Sequence, residues 1–243
     1  MDAVVNLNGA SISEKRWTNR RKRILRSSRL DATRLLVDCL SHLNRKPSVF
    51  VSASGTGFYG HRGDEILKES SGHGADFLSM LARSWEAEAA RAEQIGIRTA
   101  MLRFGVILSG EGGALPKMIR PFRLGLGGRL GNGRQWLPWI AISDATGVIR
   151  TIIAEEKWRG AVNAVAPSAI DNSEFTRTLG RVLRRPAIFP VPGFALRLLL
   201  GEMADALLLA SQRAVPERLL TGGYNFQFPE LEPALRAMLK KSK

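Results

Sequence analysis

Cysteine, histidine and tyrosine are scarce in this chain of 243 residues, which has one, three and two of them, respectively. The single cysteine, Cys39, excludes an internal disulfide framework and any zinc or iron–sulfur site built from several cysteines. Three histidines leave little room for a Ser-His-Asp mechanism, and neither a G-x-S-x-G nor a G-x-x-x-x-G-K-[ST] motif occurs. We therefore expect no metal site, no hydrolase-type nucleophile and no P-loop.

Long hydrophobic runs are also missing. Residues 1–10 have no basic region in front of their short apolar stretch, which is not the pattern of a secretory signal. The most apolar run, residues 194–210, is interrupted by Arg197, Glu202 and Asp205 and is too polar for an unpaired membrane span. We expect a cytoplasmic protein without a membrane partner.

Acidic residues are outnumbered, since 36 lysines and arginines stand against 22 aspartates and glutamates, giving a formal net charge of +14. Such a charge favours anionic partners in general. Eight basic residues lie between positions 15 and 29: Lys15, Arg16, Arg20, Arg21, Lys22, Arg23, Arg26 and Arg29. Nucleic-acid binding is one interpretation, but only Trp17 supplies an aromatic platform there. A solvated helix face is the better interpretation, and we expect no specific nucleic-acid partner.

The chain does contain an alternation of apolar strands and amphipathic helices. Short apolar runs predict buried strands over residues 3–7, 49–51, 97–104 and 161–165. Helical spacing of apolar residues predicts helices over residues 20–43, 77–94, 146–154, 172–184 and 194–210. This alternation predicts an α/β fold, with a Rossmann-like parallel sheet over residues 1–166 and a smaller, mostly helical C-terminal lobe over residues 167–243.

Two glycine-rich segments are candidates for ligand binding. The one literal G-x-G-x-x-G, residues 55–60, follows a predicted strand but leads into a turn sequence without helical periodicity. Because the dinucleotide fingerprint needs a helix N-terminus at that point, we interpret it as a glycine-rich turn. The second segment has five glycines within residues 125–133, flanked by Lys117, Arg120, Arg123, Arg129 and Arg134. An ordered pocket loop near an anionic ligand and a mobile surface loop remain equal alternatives here.

Short motifs along the whole chain carry a resemblance to a known family. They are Asn6-Leu7-Asn8-Gly9, Lys15-Arg16-Trp17, Ser52-Ala53-Ser54, Phe58-Tyr59-Gly60, Trp85-Glu86-Ala87-Glu88 and residues 121–128, 133–136, 163–167 and 212–216. With them the chain resembles the sugar-nucleotide epimerase-like branch of the extended short-chain dehydrogenase/reductase superfamily. Within that branch it is similar to a group of NAD(P)-binding proteins with a C-terminal domain of unknown function. The resemblance implies NAD or NADP as cofactor, with NADP favoured, and a phosphate-bearing or nucleotide-linked small-molecule substrate.

The resemblance also implies roles for particular residues. Asn6 and Gly9 match a turn that contacts the cofactor ribose. Ser52, Ala53 and Ser54 match the strand end beside the nicotinamide, with Ser54 at the place of the catalytic hydroxyl. A later strand end that touches nicotinamide and substrate matches Arg103, Phe104, Gly105 and Val106. The pocket-loop region, residues 110–139, would bind the substrate through Lys117, Phe122, Arg123, Gly127, Gly128, Arg134, Gln135 and Trp139, with Arg123 and Arg134 holding its anionic end.

The catalytic groups depart from the family pattern. The superfamily's Tyr-x-x-x-Lys pair would fall at residues 81–85, where the chain has Leu81 and Trp85, and neither side chain transfers protons. Arg29 stands at the position of the catalytic asparagine. Tyr59 is a candidate replacement acid, with a packing role as the alternative, since a phenol without a nearby lysine keeps a pKa of about 10. We therefore expect either an NAD(P)-dependent epimerase or reductase, as the resemblance implies, or a non-catalytic module that binds through the remnant pocket or the basic face of residues 15–29.

The beginning of the chain departs from the family as well. Family members begin with a strand, a G-x-x-G-x-x-G turn and a helix, whereas the strand at residue 3 matches the fourth strand of the family. We expect a sheet that lacks its first strands and its glycine-rich turn, and cofactor binding in a longer form of the protein. An open strand edge is a pairing site, so we also expect self-association through this edge.

Overall fold

The computed structural model describes residues 2–240. In chain order its strands are β1 (Ala3–Asn6), β2 (Val49–Gly55), β3 (Ile66–Leu67), β4 (Arg98–Phe104), β5 (Val106–Leu108), β6 (Trp139–Ala141), β7 (Gly160–Ala164) and β8 (Arg213–Ala214). Its α-helices are α1 (Asn19–Ser41), α2 (Phe77–Gln94), α3 (Ala114–Arg123), α4 (Ile142–Ala154), α5 (Asn172–Leu183), α6 (Gly193–Leu200), α7 (Glu202–Ala204), α8 (Glu217–Thr221) and α9 (Leu231–Lys240). A 3-10 turn over Thr56–Tyr59 follows β2, and a π-helical turn over Asp205–Leu209 follows α7.

Four strands form the central sheet, which is parallel and has the order β1-β2-β4-β7. Successive side chains of a strand point to opposite faces. Val49 and Val51 accordingly pack with Ile152 of α4 on one face, while Phe50 packs with Val37 of α1 on the other. A parallel sheet with both faces covered confirms the predicted Rossmann-like α/β fold.

Short polar side chains fix the start of three helices. Thr18, Asp76 and Asp171 precede α1, α2 and α5, and each accepts a hydrogen bond from the amide three residues later, at 2.7–3.1 Å. Such caps satisfy amides that the helix itself leaves unpaired. These boundaries are therefore determined by local sequence.

The long elements follow the predictions closely. Helix α2 covers the predicted residues 77–94, and β4 begins one residue after the predicted start at 97. Helix α1 ends two residues before the predicted 43, and β7 begins one residue before the predicted 161. Helix α4 begins at Ile142, four residues before the predicted start at 146.

Two regions differ from the sequence prediction. The glycine- and proline-rich segment 110–133 contains α3, whose buried face is formed by Leu115, Ile119 and Phe122 despite Pro121 inside the helix. The helix predicted over 194–210 is interrupted at Gly201, whose φ of +61° lies in the left-handed region. Glycine adopts this conformation at little cost, so the chain turns there and continues as α7 and the π-helical turn.

Candidate functional site

The candidate site lies where the strands of the central sheet end. In the parallel register Asn6 of β1 lies beside Ser52 of β2, and Ser54 lies beside Arg103 of β4. Arg103 in turn lies beside Asn163 of β7. All five of these polar residues are buried. The carboxyl edge of an open parallel sheet is the place where such folds bind ligands.

Arg103 and Glu86 form a buried ion pair at this edge. Arg103 donates from Nε to Glu86 Oε1 at 2.9 Å and from Nη2 to Oε2 at 2.8 Å, and Ser54 Oγ donates to Oε1 at 2.6 Å. Only 5% of Arg103 and 8% of Glu86 are exposed. Burial lowers the pKa of Arg103, but the hydrogen bond and charge of Glu86 raise it, and the net shift is upward. Arg103 therefore stays charged and fixes the carboxylate that holds Ser54.

Tyr59 also contacts the Arg103 guanidinium. Its hydroxyl donates to Asn163 Oδ1 at 2.6 Å and accepts from Arg103 Nη1 at 3.0 Å, and the residue is fully buried. Burial raises the pKa of Tyr59, and the charge of Arg103 offsets this only in part. A buried phenol with a raised pKa is a poor proton donor to a ligand. The contacts thus favour the packing role of Tyr59 over that of a replacement acid.

The positions expected for the Tyr-x-x-x-Lys pair lie in an apolar cluster. Leu81 and Trp85 of α2 are buried together with Trp17, Leu25 and Met203. Met203 belongs to α7, so this cluster joins α2 to the C-terminal part of the chain. Leu81 and Trp85 contribute packing here and have no group for proton transfer.

Asn6 shapes the turn that follows β1. Its Nδ2 donates to Thr33 Oγ1 at 2.8 Å, and Trp85 Nε1 donates to the same oxygen at 2.9 Å. Asn6 Oδ1 accepts from the amide of Asn8 at 3.2 Å, which leads the backbone to the exposed Gly9. The ribose contact expected of Asn6 and Gly9 stays a prediction.

The other strand-end residues of the predicted cofactor site lie around Ser54 and Arg103. Ser52 is fully buried, whereas the half-buried members are Ala53, Phe104, Gly105 and Val106. A side chain at Gly105 would lie 2.7 Å from the carbonyl carbon and oxygen of Pro138, so glycine lets these two backbones approach each other. The fold therefore brings these residues to one edge, while their contact with a cofactor stays a prediction.

Backbone hydrogen bonds hold the glycine-rich loop that follows α3. The amide of Phe189 donates to the carbonyl of Gly127 at 3.0 Å, and the amide of Val191 donates to that of Arg129 at 2.9 Å. A Cβ at Gly128 would overlap the backbone of Phe189. Of the two alternatives for this segment, the structure favours the ordered loop.

Besides Gly127 and Gly128 of the loop, the residues predicted to bind substrate fall into two groups by exposure. Three are exposed and basic: Lys117, Arg123 and Arg134. Phe122 and Trp139 are instead members of an apolar core cluster, and the buried Gln135 donates its amide to two backbone carbonyls. Packing and backbone hydrogen bonding account for these buried side chains, and their contact with substrate stays a prediction.

The literal G-x-G-x-x-G at residues 55–60 opens no helix. It forms the 3-10 turn after β2, and a loop and the short strand β3 follow it. Its interpretation as a turn is confirmed. Within residues 2–240, no helix is both long and apolar enough to cross a membrane, and no three His, Cys, Asp or Glu side chains are grouped to hold a metal ion.

Glu86 is a site residue that the sequence does not predict. It lies in the motif of residues 85–88, which contributes to the family resemblance without implying a role for this carboxylate. The signal was its helical spacing, because Glu86 follows Ala82 by four residues and precedes Ala89 by three, and both alanines are buried. A carboxylate on the buried face of a helix requires a partner, and Arg103 supplies it.

Comparison with known sequences gives matches along the chain. The profile of the NAD dependent epimerase/dehydratase family matches residues 1–164, and that of a domain of unknown function, DUF1731, matches residues 191–238. The epimerase family protein YfhF of Bacillus subtilis is 41% identical over 244 residues, which cover 100% of this chain and 80% of that protein. The epimerase family protein SDR39U1 of Mus musculus is 40% identical over 239 residues, 97% of this chain and 81% of that protein.

Two solved structures are similar over nearly the whole chain. Human epimerase family protein SDR39U1 (isoform 2), solved with NADPH, superposes with a TM-score of 0.93 at 35% identity, over 99% of this chain and 82% of that chain. A nucleoside-diphosphate sugar epimerase from Corynebacterium glutamicum gives a TM-score of 0.80 at 34% identity, over 98% of this chain and 46% of that chain. Since a family profile covers more than half of the sequence and several relatives match over most of their length, the chain belongs to the NAD-dependent epimerase/dehydratase family.

Proposed function

We propose that this chain forms the nicotinamide and substrate side of an NADP(H)-dependent epimerase or reductase, which acts in the cytoplasm on a phosphate-bearing or nucleotide-linked substrate. The observation that carries the proposal is the Ser54 hydroxyl, which Glu86 holds at 2.6 Å at the carboxyl edge of the sheet. The NADPH in the human relative, which is 35% identical, supports this choice of cofactor.

The residues at the strand ends fit a nicotinamide nucleotide. Gly9 and Ala53 keep the ends of β1 and β2 free of bulky side chains, and Ser54 and Arg103 supply polar groups beside them. Dinucleotides bind at this edge in open parallel sheets. When bound, the nicotinamide would donate or accept a hydride.

The hydrogen bond between Ser54 and Glu86 determines what the serine offers to a ligand. A hydroxyl has one proton, and that of Ser54 is donated to Glu86 Oε1. Its oxygen therefore presents lone pairs, so Ser54 would accept a hydrogen bond from a substrate hydroxyl and orient it. Arg123 and Arg134 are exposed and would bind the anionic end of the substrate by charge-assisted hydrogen bonds.

Leu81 and Trp85 favour a second candidate function, a cofactor-binding module without turnover. Both side chains are buried at the positions where the superfamily has its proton-transfer pair. In this case Ser54 would only position a bound ligand, and the binding site would act without hydride transfer.

The proposal is tested by titration of NADPH, followed by nicotinamide fluorescence. The titration uses this chain and a form extended at its N-terminus by the strand, G-x-x-G-x-x-G turn and helix that the family resemblance implies. We expect the extended protein to bind NADPH, and to bind NADH more weakly. Absence of NADPH binding by both proteins would contradict the proposal. NADPH oxidation with nucleotide-linked carbonyl compounds, lost in Ser54→Ala while binding persists, separates the enzyme from the module.

A further inference from the structure

A cationic side chain lies directly under the loop that follows β1. The guanidinium of Arg29 lies between the backbone of Gly9 and the ring of Trp85, with Cζ at 5.2 Å from the ring centroid. A Cβ at Gly9 would lie 2.9 Å from the Arg29 Cζ. Glycine at this position therefore lets the loop backbone lie against the guanidinium, at the end of the strand that carries Asn6.

Only part of the hydrogen-bonding capacity of Arg29 is used by the protein. Its Nη1 donates to the carbonyls of Ala10 and Leu25, at 3.1 and 3.2 Å. Among residues 2–240 its Nε and Nη2 have no hydrogen-bond acceptor, and no carboxylate forms an ion pair with it. Burial lowers the pKa of Arg29, and the charge of Arg21 lowers it further. A half-buried cation without an opposite charge is unfavourable until an anion arrives.

Arg21 brings a second guanidinium to the same loop. It donates to the carbonyl of Ser11, which follows Ala10, the residue whose carbonyl accepts from Arg29. Arg21 also forms an ion pair with the exposed carboxylate of Glu14 at 3.2 Å. Only 11% of the Arg21 side chain is exposed, and its buried Nε has no hydrogen-bond partner in the described part of the chain. Two guanidinium groups with free donors thus converge on residues 9–11.

We propose that Arg29 and Arg21 form a binding site for a phosphate group of a nucleotide, at the loop of residues 9–11. Guanidinium groups match phosphate in geometry, and paired N–H donors bind it more strongly than a single charge does. Two sources would supply this chemistry: the phosphates of a nicotinamide cofactor or those of a nucleotide-linked substrate. The nucleotide part rests on the proposed function, whereas the anion site rests on the geometry of Arg29 and Arg21 alone.

The test is calorimetric titration of the intact chain with inorganic pyrophosphate at moderate salt, for the wild type, Arg29→Gln and the control Arg26→Gln. Arg26 is exposed on the same helix and has no ion pair within residues 2–240, so the control removes the same charge. We expect Arg29→Gln to bind pyrophosphate about tenfold or more weakly than Arg26→Gln. Equal affinities, or no binding by the wild type, would overturn the proposal.

Two further measurements keep the outcome decisive. Thermal melting checks that Arg29→Gln is folded, and if it is not, Arg29→Lys replaces it. The lysine keeps the charge but loses the paired donors, so binding as tight as that of the control would overturn the proposal. Competition is measured with the extended protein, which is the form expected to bind NADPH. Competition by NADPH identifies the cofactor as the source of the phosphate, competition by UDP identifies the substrate, and competition by neither overturns the nucleotide assignment. If pyrophosphate binding depends on Arg29 but the extended protein does not bind NADPH, the anion site is supported and the proposed function is contradicted.

Discussion

Arg103 determines the arrangement of the candidate site at the scale of single residues. It forms paired hydrogen bonds with Glu86, donates to the Tyr59 hydroxyl at 3.0 Å, and lies over the ring of Phe58 at 3.5 Å from its centroid. An ion pair taken out of water is tolerated only when such contacts compensate the lost hydration. The arrangement therefore favours a single orientation of Glu86 and, through it, of Ser54.

Removing the Glu86 charge should destabilise the fold strongly. Glu86→Gln leaves the buried guanidinium of Arg103 without an opposite charge, and we expect a loss of about 3–5 kcal/mol in the free energy of unfolding. The control is Glu88→Gln on the same helix, since Glu88 pairs with Arg34 and Arg91 near the surface. For that variant we expect a loss below about 1 kcal/mol. Urea denaturation measures the free energy of unfolding of both variants. Equal losses would show that the buried ion pair contributes no more to stability than the surface pairs of Glu88.

The two tyrosines provide a prediction about alkaline pH. Burial, and then the nearby Asp144 carboxylate, raises the pKa of Tyr224 to about 12, and burial also raises the pKa of Tyr59. The folded state thus binds the phenolic proton more tightly than the unfolded state, whose tyrosines titrate near 10.0. The stabilisation is complete below that pH and is lost as the pH rises through about 12.

Phenolate absorbance measures this effect directly. We expect little phenolate at pH 10.0 in the folded protein, and about half ionisation of both tyrosines when the chain is unfolded in urea. In Tyr224→Phe, the remaining signal belongs to Tyr59 and should appear at a higher pH in the folded protein than in the chain unfolded in urea. Ordinary titration in the folded wild type would contradict the contacts described for both residues.

At the scale of elements, the glycine-rich loop after α3 depends on a close backbone approach. A Cβ at Gly128 would lie 1.7 Å from the carbonyl oxygen of Phe189, so Gly128→Ala forces the two segments apart. We expect a loss of about 1–3 kcal/mol in the free energy of unfolding. Gly112→Ala is the control, because a Cβ there meets no atom within 4 Å. A small and equal effect of both substitutions in urea denaturation would show that the loop is not held against Phe189.

The elements that the sequence predicted well are those specified locally. Helix α2 has its own cap at Asp76 and a regular apolar face, so its limits follow from its own residues. Strands β5 and β6 have three residues each, and their pairing joins Val106 to Trp139 across more than thirty residues. No local pattern marks such a pair. Helix α3 was not predicted for a different reason: glycines flank it and Pro121 lies within it, and both residue types usually indicate a loop.

The candidate site shows the same division between what local sequence specifies and what depends on tertiary packing. Ser54 and Arg103 lie at the ends of neighbouring parallel strands. The family resemblance and the predicted parallel sheet were enough to place both residues at the same edge. The ion pair of Arg103 with Glu86 depends on how α2 packs on the sheet, and this is a tertiary property. Trp139 packs in an apolar core cluster, which the sequence could not predict, because a tryptophan beside a glycine-rich loop has the same sequence context whether it faces a ligand or the core.

At the scale of the whole molecule, the outer edge of β1 in the central sheet has a consequence for self-association. Within residues 2–240, β1 pairs with β2 and has no strand on its other side. Val5 on this edge is 38% exposed. An unpaired edge with apolar side chains is a template for pairing with another chain. We therefore expect this chain, taken alone, to associate with itself through β1.

Sedimentation velocity at several concentrations tests this association. We expect the wild type to associate and Val5→Lys to remain monomeric, because a lysine on an edge strand opposes pairing. Leu35→Lys is the control, since Leu35 is a 66% exposed apolar residue that belongs to helix α1 and not to the strand. A monomeric wild type, or an equal effect of both lysines, would contradict pairing through β1.

The apolar cluster around Leu81, Trp85 and Met203 limits how this scaffold could be re-engineered. Introducing a tyrosine and a lysine at positions 81 and 85 would insert an ammonium among hydrocarbon side chains, where its proton would be released readily. The same substitution would remove the Trp85 indole, which packs in the cluster with Met203 of α7. Engineering a proton shuttle into this protein therefore has to begin by redesigning the lobe around Met203, with α2 changed only afterwards.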